Sequence, residues 1–230
     1  MIRCWGQPKF ATDDVKLFGY ELFIREQHDH QWCVPTDFSA FRPDQIVDLL
    51  HETLKTLPHD LKIISFNLDQ CQFVDPAYCT LLATICDQTQ AKICVELTER
   101  LGNGATQVTV TQLKQAAQAY CKANIAVCID DVSTGSNQLE LVNQLNPYAV
   151  EYKFALQNVR GTQSCDQIQA AVAFWRTLAQ EHHKLFGLEG FEHHEDVSLI
   201  RDFHPNIVQG YYFGRPHIMP IEADFRLDEP

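Results

Sequence analysis

Short apolar runs rich in β-branched residues alternate with longer amphipathic stretches along the whole sequence. The strand-like runs are eight in number, at 3–8, 17–25, 61–68, 92–97, 125–130, 149–154, 184–189 and 206–211. The helix-like stretches lie at 44–57, 76–88, 110–123, 136–145, 165–183 and 195–203. Such alternation is typical of parallel strands joined by crossover helices. Eight strands with no G-x-G-x-x-G turn favour a closed α/β barrel over an open doubly wound sheet.

The chain is long enough for one large domain with a full core. Its 230 residues contain no Pro/Gly/Ser-rich linker, low-complexity tract or internal repeat. We therefore expect a single domain over residues 1–230.

The charge of the chain bears on the partners that it can bind. The net charge is −12, with 18 Lys and Arg against 30 Asp and Glu, which argues against binding to DNA or to an anionic membrane. No apolar stretch reaches the ~18 residues of a membrane helix.

The cysteine content bears on the cellular compartment. The nine cysteines are an odd number and form no C-x-x-C pair. Such cysteines are typical of buried thiols in reducing cytosol, so we expect a cytoplasmic protein.

Oxygen-bearing side chains stand near the ends of separate predicted strands. They are Glu21, Asn67, Glu96, Asp130, Asp131, Glu189 and Gln209. In barrels of this class the reactive face lies at the C-terminal ends of the strands, so these side chains should converge. A single strand-end acid more often caps the following helix, but this many on successive strands favour a site for a hard cation such as Mg²⁺, Mn²⁺ or Ca²⁺.

Seven short motifs occur in a fixed order. They are Gln7-Pro8, Gly19–Arg25 (GYELFIR), Phe66–Leu68 (FNL), Glu96–Glu99 (ELTE), Asp130–Gly135 (DDVSTG), Glu189–Glu192 (EGFE) and Gln209–Pro216 (QGYYFGRP). Together they resemble the bacterial EAL domain, the cyclic di-GMP phosphodiesterase family, over essentially the whole chain. The resemblance implies a TIM-like (β/α)8 barrel of the EAL type with one antiparallel strand.

The resemblance also implies an activity and roles for individual residues. The family cleaves one phosphodiester bond of cyclic di-GMP with one or two Mg²⁺ or Mn²⁺ ions. The implied metal ligands are Glu21, Asn67, Glu96, Asp130 and Asp131. The implied catalytic residues are Glu21, Glu189 and Gln209. The implied substrate-binding residues are Gln7, Arg25, Glu192 and Tyr211, while Glu99 would hold the loop after the fifth strand.

The sequence departs from the family at two places. Active members carry Lys-Ile-Asp on the sixth strand, and a gap-free alignment puts Glu151 at the Lys position and Lys153 at the Asp position. Both join the candidate catalytic residues, because residues two apart on a strand point the same way, here into the barrel. Losing a positioned proton-transfer group typically costs ~10²–10⁴ in rate. The second departure is Ser133, which stands where the family has glycine.

Three interpretations remain open. The first is a working or weakened phosphodiesterase, supported by the intact ligand set and by the reach of Lys153. The second is an inactive member that binds cyclic di-GMP or another protein without cleavage, supported by Glu151 and the altered loop. The third is an unrelated barrel metalloenzyme, for which the ordered motifs would be accidental. A homodimer through helix 165–183 and a regulatory protein partner are also left open, since that helix would otherwise cover the barrel.

Overall fold

The computed structural model describes residues 1–13, 16–102 and 107–225. These residues contain ten strands and eight α-helices. The strands are β1 (Ile2–Ala11), β2 (Leu17–His28), β3 (Gln31–Cys33), β4 (Ile63–Leu68), β5 (Lys92–Leu97), β6 (Ala126–Ile129), β7 (Glu151–Ala155), β8 (Leu185–Glu189), β9 (Ile207–Val208) and β10 (His217–Ile218). The helices are α1 (Pro43–Leu54), α2 (Gln70–Val74), α3 (Pro76–Cys86), α4 (Val110–Lys122), α5 (Leu139–Leu145), α6 (Cys165–Glu181), α7 (Ser198–Phe203) and α8 (Glu222–Phe225).

Eight of the strands close a barrel. The neighbours run β1-β9-β8-β7-β6-β5-β4-β2, and pairing of β1 with β2 completes the ring. β1 is antiparallel to both of its barrel neighbours, while the other barrel strands pair in parallel. The predicted α/β barrel with one antiparallel strand is therefore confirmed. The short strands β3 and β10 add to β2 and β1 outside the ring.

Residues of each barrel strand alternate between two environments. On β4, Ile64 and Phe66 belong to the large core that packs between barrel and helices. Ile63 faces the other way and joins the small interior cluster formed with Cys94, Ala126 and Cys128. The next inward positions toward the C-terminal ends are polar or charged, and this change in the barrel interior positions the site described below.

Helix α6 packs its apolar face against the barrel. Val172 and Trp175 are buried, and Ile168 and Leu178 pack on the same core. Phe174 is 47% exposed on the opposite side. The apolar residues that suggested a dimer contact in the sequence thus cover the barrel. None of the described helices combines the length and apolar composition that crossing a bilayer requires.

Candidate active site

The oxygen-bearing side chains at the predicted strand ends meet at the C-terminal mouth of the barrel. Glu21 comes from β2, Asn67 from β4 and Glu96 from β5, all at inward-facing positions. The Asn67 amide donates to Glu21 Oε1 at 2.5 Å, and the Gln209 amide donates to Glu21 Oε2 at 2.8 Å. Asp130 and Asp131 follow β6, and an oxygen of each lies within 4.8 Å of an oxygen of Glu189.

The ammonium group of Lys153 lies at the centre of four carboxylates, which we call the carboxylate ring: Glu21, Glu96, Asp130 and Glu189. Lys153 Nζ is 2.9 Å from Asp130 Oδ1 and 3.1 Å from both Glu21 Oε2 and Glu189 Oε2. It also contacts Glu96 Oε2 directly. Burial alone would lower the pKa of Lys153, but the surrounding carboxylates outweigh burial and raise that pKa well above its ordinary value. Lys153 is therefore a charged group inside the ring.

A second buried lysine approaches the ring from below. Lys9 is fully buried, and its Nζ lies 2.5 Å from Glu96 Oε1 and 3.0 Å from Ser65 Oγ. Burial opposes ionisation of both Lys9 and Glu96. The two lysines nevertheless lower the pKa of Glu96 to about 2, so this carboxylate is charged and held at both oxygens. The sequence offered one signal for Lys9, which is that it shares the inward face of β1 with Gln7 two residues before.

Glu151 occupies the inward position two residues before Lys153 on β7. It has no exposed surface, and within the described parts of the chain neither carboxylate oxygen has a hydrogen-bond partner. Burial raises the pKa of Glu151, and the charge of Lys9 acts in the opposite direction. Glu151 and Lys153 both face the barrel interior as expected, but Lys153 reaches the ring and Glu151 remains in the layer beneath it.

The donor set fits a hard divalent cation. Among the described residues, three of the buried oxygens that lack a hydrogen-bond partner belong to the strand-end side chains predicted for this mouth: Asn67 Oδ1, Asp131 Oδ1 and Gln209 Oε1. Burial and the negative charge of the nearby Glu189 raise the pKa of Asp131 to about 7, because the acidic side chains lie close together here. Unpartnered amide and carboxylate oxygens with crowded negative charge are what Mg²⁺, Mn²⁺ and Ca²⁺ favour.

The loop after β6 is held by buried polar contacts. The Asn137 amide donates to Leu97 O at 2.9 Å and to Asp130 O at 2.6 Å. Glu99 lies against Gly135, where an added Cβ would come within 2.5 Å of Glu99 Cγ. Asp131 and Ser133 both adopt positive φ, at 48° and 77°. Glu99 thus lies against the loop that it is predicted to hold. Asn137, which none of the sequence motifs includes, bonds the same loop to β5.

Ser133 is expected to strain this loop, since a side chain in the left-handed region is disfavoured. We expect Ser133→Gly to raise the free energy of unfolding by about 0.5–1 kcal/mol, measured by urea denaturation. Ser198→Gly is the matched control, because Ser198 has φ −57 and gains nothing from glycine. Destabilisation of both variants to the same extent would contradict the strain at Ser133.

A cleft of about 700 Å³ opens beside the ring. Arg25, Glu21, Asn67, Asp130 and Asp131 line it, together with residues 34–38 and Arg100–Gly102. Such a volume suits a ligand of dinucleotide size. Of the four predicted substrate-binding residues, Arg25 is the one that lines this cleft.

The other three predicted substrate-binding residues are not among the described residues that line it. Gln7 is buried and donates to Gly214 O at 3.1 Å. Tyr211 is exposed, and the Arg215 guanidinium stacks 4.3 Å from its ring centroid. Glu192 is exposed, and its carboxylate lies 3.3 Å from Arg160 Nη1.

Known proteins share this sequence pattern and fold. The sequence profile of the EAL domain family matches residues 3–216. The cyclic di-GMP phosphodiesterase NbdA of Pseudomonas aeruginosa is 23% identical over 240 residues, which cover 94% of this chain and 29% of NbdA. Among solved structures, Bacillus subtilis YkuI, a protein with an EAL domain in complex with substrate cyclic di-GMP and calcium, gives a TM-score of 0.78 at 17% identity.

Klebsiella pneumoniae BlrP1, in a complex with manganese and cyclic di-GMP, gives a TM-score of 0.77, at 18% identity. Each of these two structures is matched over 96% of this chain and 57% of the other. This chain therefore spans less than two thirds of NbdA, YkuI and BlrP1, and the likeness to the two solved structures shows the fold alone.

Proposed function

This chain belongs to the EAL domain family, and we propose that it is a divalent-metal-dependent phosphodiesterase that hydrolyses cyclic di-GMP to the linear dinucleotide. The observation that carries the proposal is the set of unpartnered oxygens on Asn67, Asp131 and Gln209 beside the carboxylate ring. A binding protein for a dinucleotide, which is itself an anion, has no need to concentrate acids at this point. A metal-dependent phosphodiesterase does, because the bound cation reverses the local charge.

The residues proposed to hold one or two Mg²⁺ or Mn²⁺ ions are Glu21, Asn67, Glu96, Asp130 and Asp131. A bound ion of this kind polarises a phosphoryl oxygen and lowers the pKa of a water ligand, which supplies a nucleophile near neutral pH. Asp130 also accepts from the backbone N–H of Asp131 at 2.9 Å, and that bond fixes the direction of its carboxylate.

The remaining side chains have positioning and proton-handling roles in the proposal. Gln157 donates to Glu189 Oε1 at 2.6 Å, which leaves Glu189 Oε2 directed at the ring, where it can accept a proton from water. Gln209 orients Glu21 through its amide. Lys153 is the charged group closest to these carboxylates and is proposed to neutralise them until a metal ion binds. Arg25 would bond two phosphate oxygens of the dinucleotide with its planar fork.

Asp130→Asn tests the proposal. We expect the wild-type protein to release linear dinucleotide from cyclic di-GMP in the presence of Mn²⁺, and to stop when the metal is chelated. The variant should turn over at least ~10²-fold more slowly, because removing even an outer partner of a metal site costs 10–100-fold. Product is quantified by chromatography, and Asp69→Asn, which alters another acid lining the cleft, is the matched control. Equal loss in both variants would contradict the role of Asp130.

A second candidate function is binding of cyclic di-GMP without cleavage. It is favoured by the occupation of both Glu96 oxygens by ammonium groups, which leaves this proposed metal ligand engaged by lysines. Dinucleotide binding in calorimetry with no product at high enzyme concentration would select this function. We place either activity in the cytoplasm, since all nine cysteines are unpaired thiols.

A further inference from the structure

The geometry points to Lys153 as an internal cation that a divalent ion must displace, with Glu151 as the carboxylate that receives the displaced ammonium. The inference rests on the proposed metal site and concerns how this chain controls access to it. In this view the ammonium of Lys153 has two positions, one inside the carboxylate ring and one at Glu151.

Lys153 and a divalent ion would compete for the same oxygens. Three of the four ring carboxylates, Glu21, Glu96 and Asp130, are proposed metal ligands. Lys153 Nζ already lies 2.9–3.1 Å from Asp130 and Glu21 and in direct contact with Glu96. Metal–oxygen bonds of about 2.0–2.6 Å to the same carboxylates would put the ion almost on top of Nζ, where like charges repel strongly. The ammonium must therefore leave the ring before the ion occupies it.

Glu151 offers a place for the displaced ammonium. Its two oxygens are fully buried and, across the described chain, have no hydrogen-bond partner, so the carboxylate has unused acceptor capacity. Glu151 and Lys153 share the inward face of β7, where residues two apart are separated by about 6.6 Å along the strand. A lysine side chain spans that distance by changing rotamers.

The two side chains already lie side by side over a glycine. A Cβ added at Gly187 would come 2.5 Å from Glu151 Oε1 and 3.2 Å from Lys153 Cγ. The stem of Lys153 and the carboxylate of Glu151 thus border the same gap, which a larger residue on β8 would fill. The path from the ring to Glu151 is short and lies inside the barrel.

Two positions for Lys153 predict a characteristic pattern of metal affinity. When the competent state is only partly populated, the apparent affinity falls by that fraction. Lys153→Met removes the competitor and should tighten Mn²⁺ binding by about tenfold or more. Glu151→Gln removes the receiving charge and should weaken Mn²⁺ binding by about threefold or more. In the double variant, Glu151→Gln should have no further effect, because no ammonium remains to be received.

The experiment is titration calorimetry of Mn²⁺ alone, without dinucleotide, into the wild-type protein, the two single variants and the double variant. Lys62→Met and Glu140→Gln are matched controls, since both side chains are exposed. Lys153→Gln replaces the methionine variant if circular dichroism shows that the latter does not fold. The Glu151→Gln variant is expected to fold, since the amide matches the shape of the carboxylate that it replaces, so its Mn²⁺ affinity can be read whether or not the Lys153 variants fold.

Tighter binding in Lys153→Met with loss of the Glu151→Gln effect in the double variant supports the inference. Unchanged or weaker Mn²⁺ binding in Lys153→Met, or an equal effect of Glu151→Gln with and without Lys153, overturns it. Absence of binding in the wild type with binding in Lys153→Met also supports it, whereas absence in both overturns it. Product release from cyclic di-GMP, which decides the proposed function, is measured separately, so either idea can fail alone.

Discussion

Replacing Lys9 with methionine is expected to lower the free energy of unfolding by about 3 kcal/mol, because the change removes one of the two ammonium groups that hold the buried carboxylate of Glu96. Lys9 is wholly buried, it contacts Glu96 Oε1 at 2.5 Å, and it opposes the burial that raises the pKa of Glu151. Urea denaturation of the metal-free protein measures the loss.

The double variant Lys9→Met/Glu151→Met separates a charge effect from a packing effect. Lys9 and Glu151 act on each other as opposite charges without direct contact, and replacing buried opposite charges by apolar residues of similar size is often close to neutral. We therefore expect the double variant to recover most of the stability that Lys9→Met loses. Lys62→Met is the control for the methionine itself. A double variant that is less stable than Lys9→Met alone would show that Lys9 and Glu151 do not compensate each other.

Glu151→Lys is expected to destabilise the protein by about 3 kcal/mol and to give no gain in turnover. The gap-free alignment would predict the opposite, since it places Glu151 where active members have their lysine. In the structure, position 151 lies beneath the ring and within the field of Lys9, and Lys153 already supplies an ammonium to the ring. A third buried ammonium would meet like charge on both sides.

Thermal denaturation and product release are measured together on the Glu151→Lys variant. Glu151→Gln is the matched control, because it keeps the shape of the side chain and removes only the charge. A folded Glu151→Lys protein with a large rise in turnover would contradict this account. It would identify position 151 as the place where the reaction needs a lysine.

Periodicity predicted most of the barrel because apolar alternation on strands and helical spacing reflect burial directly. All eight predicted strands are present, although 206–211 shortens to Ile207–Val208. The chain turns immediately after β9, where Gly210 accepts from the N–H groups of Phe213 and Gly214. The missed elements, such as α2 and β10, have five residues or fewer. A segment that short shows no repeat, and α2 is stabilised by the Asp69 cap instead.

The site was predictable where it follows from strand ends and less so where it depends on the barrel interior. Strand alternation correctly placed Glu151 and Lys153 inside, but it carried no information on which of them reaches the ring. That outcome depends on side-chain length and on the small residue Gly187 opposite them. Lys9 is harder to predict because a lysine in a strand normally marks a solvent-facing position, whereas here Glu96 contacts its ammonium and Glu151 and Glu21 add negative charge nearby.

The most direct test of the central claim is a single-turnover reaction with enzyme in excess over cyclic di-GMP, in Mn²⁺ buffer made with heavy-oxygen water. Mass spectrometry of the product reads both cleavage and the source of the new oxygen. We predict linear dinucleotide with one heavy oxygen on its terminal phosphate, and no product when the metal is chelated. Recovery of intact cyclic di-GMP after prolonged incubation with folded, metal-loaded protein would contradict the claim.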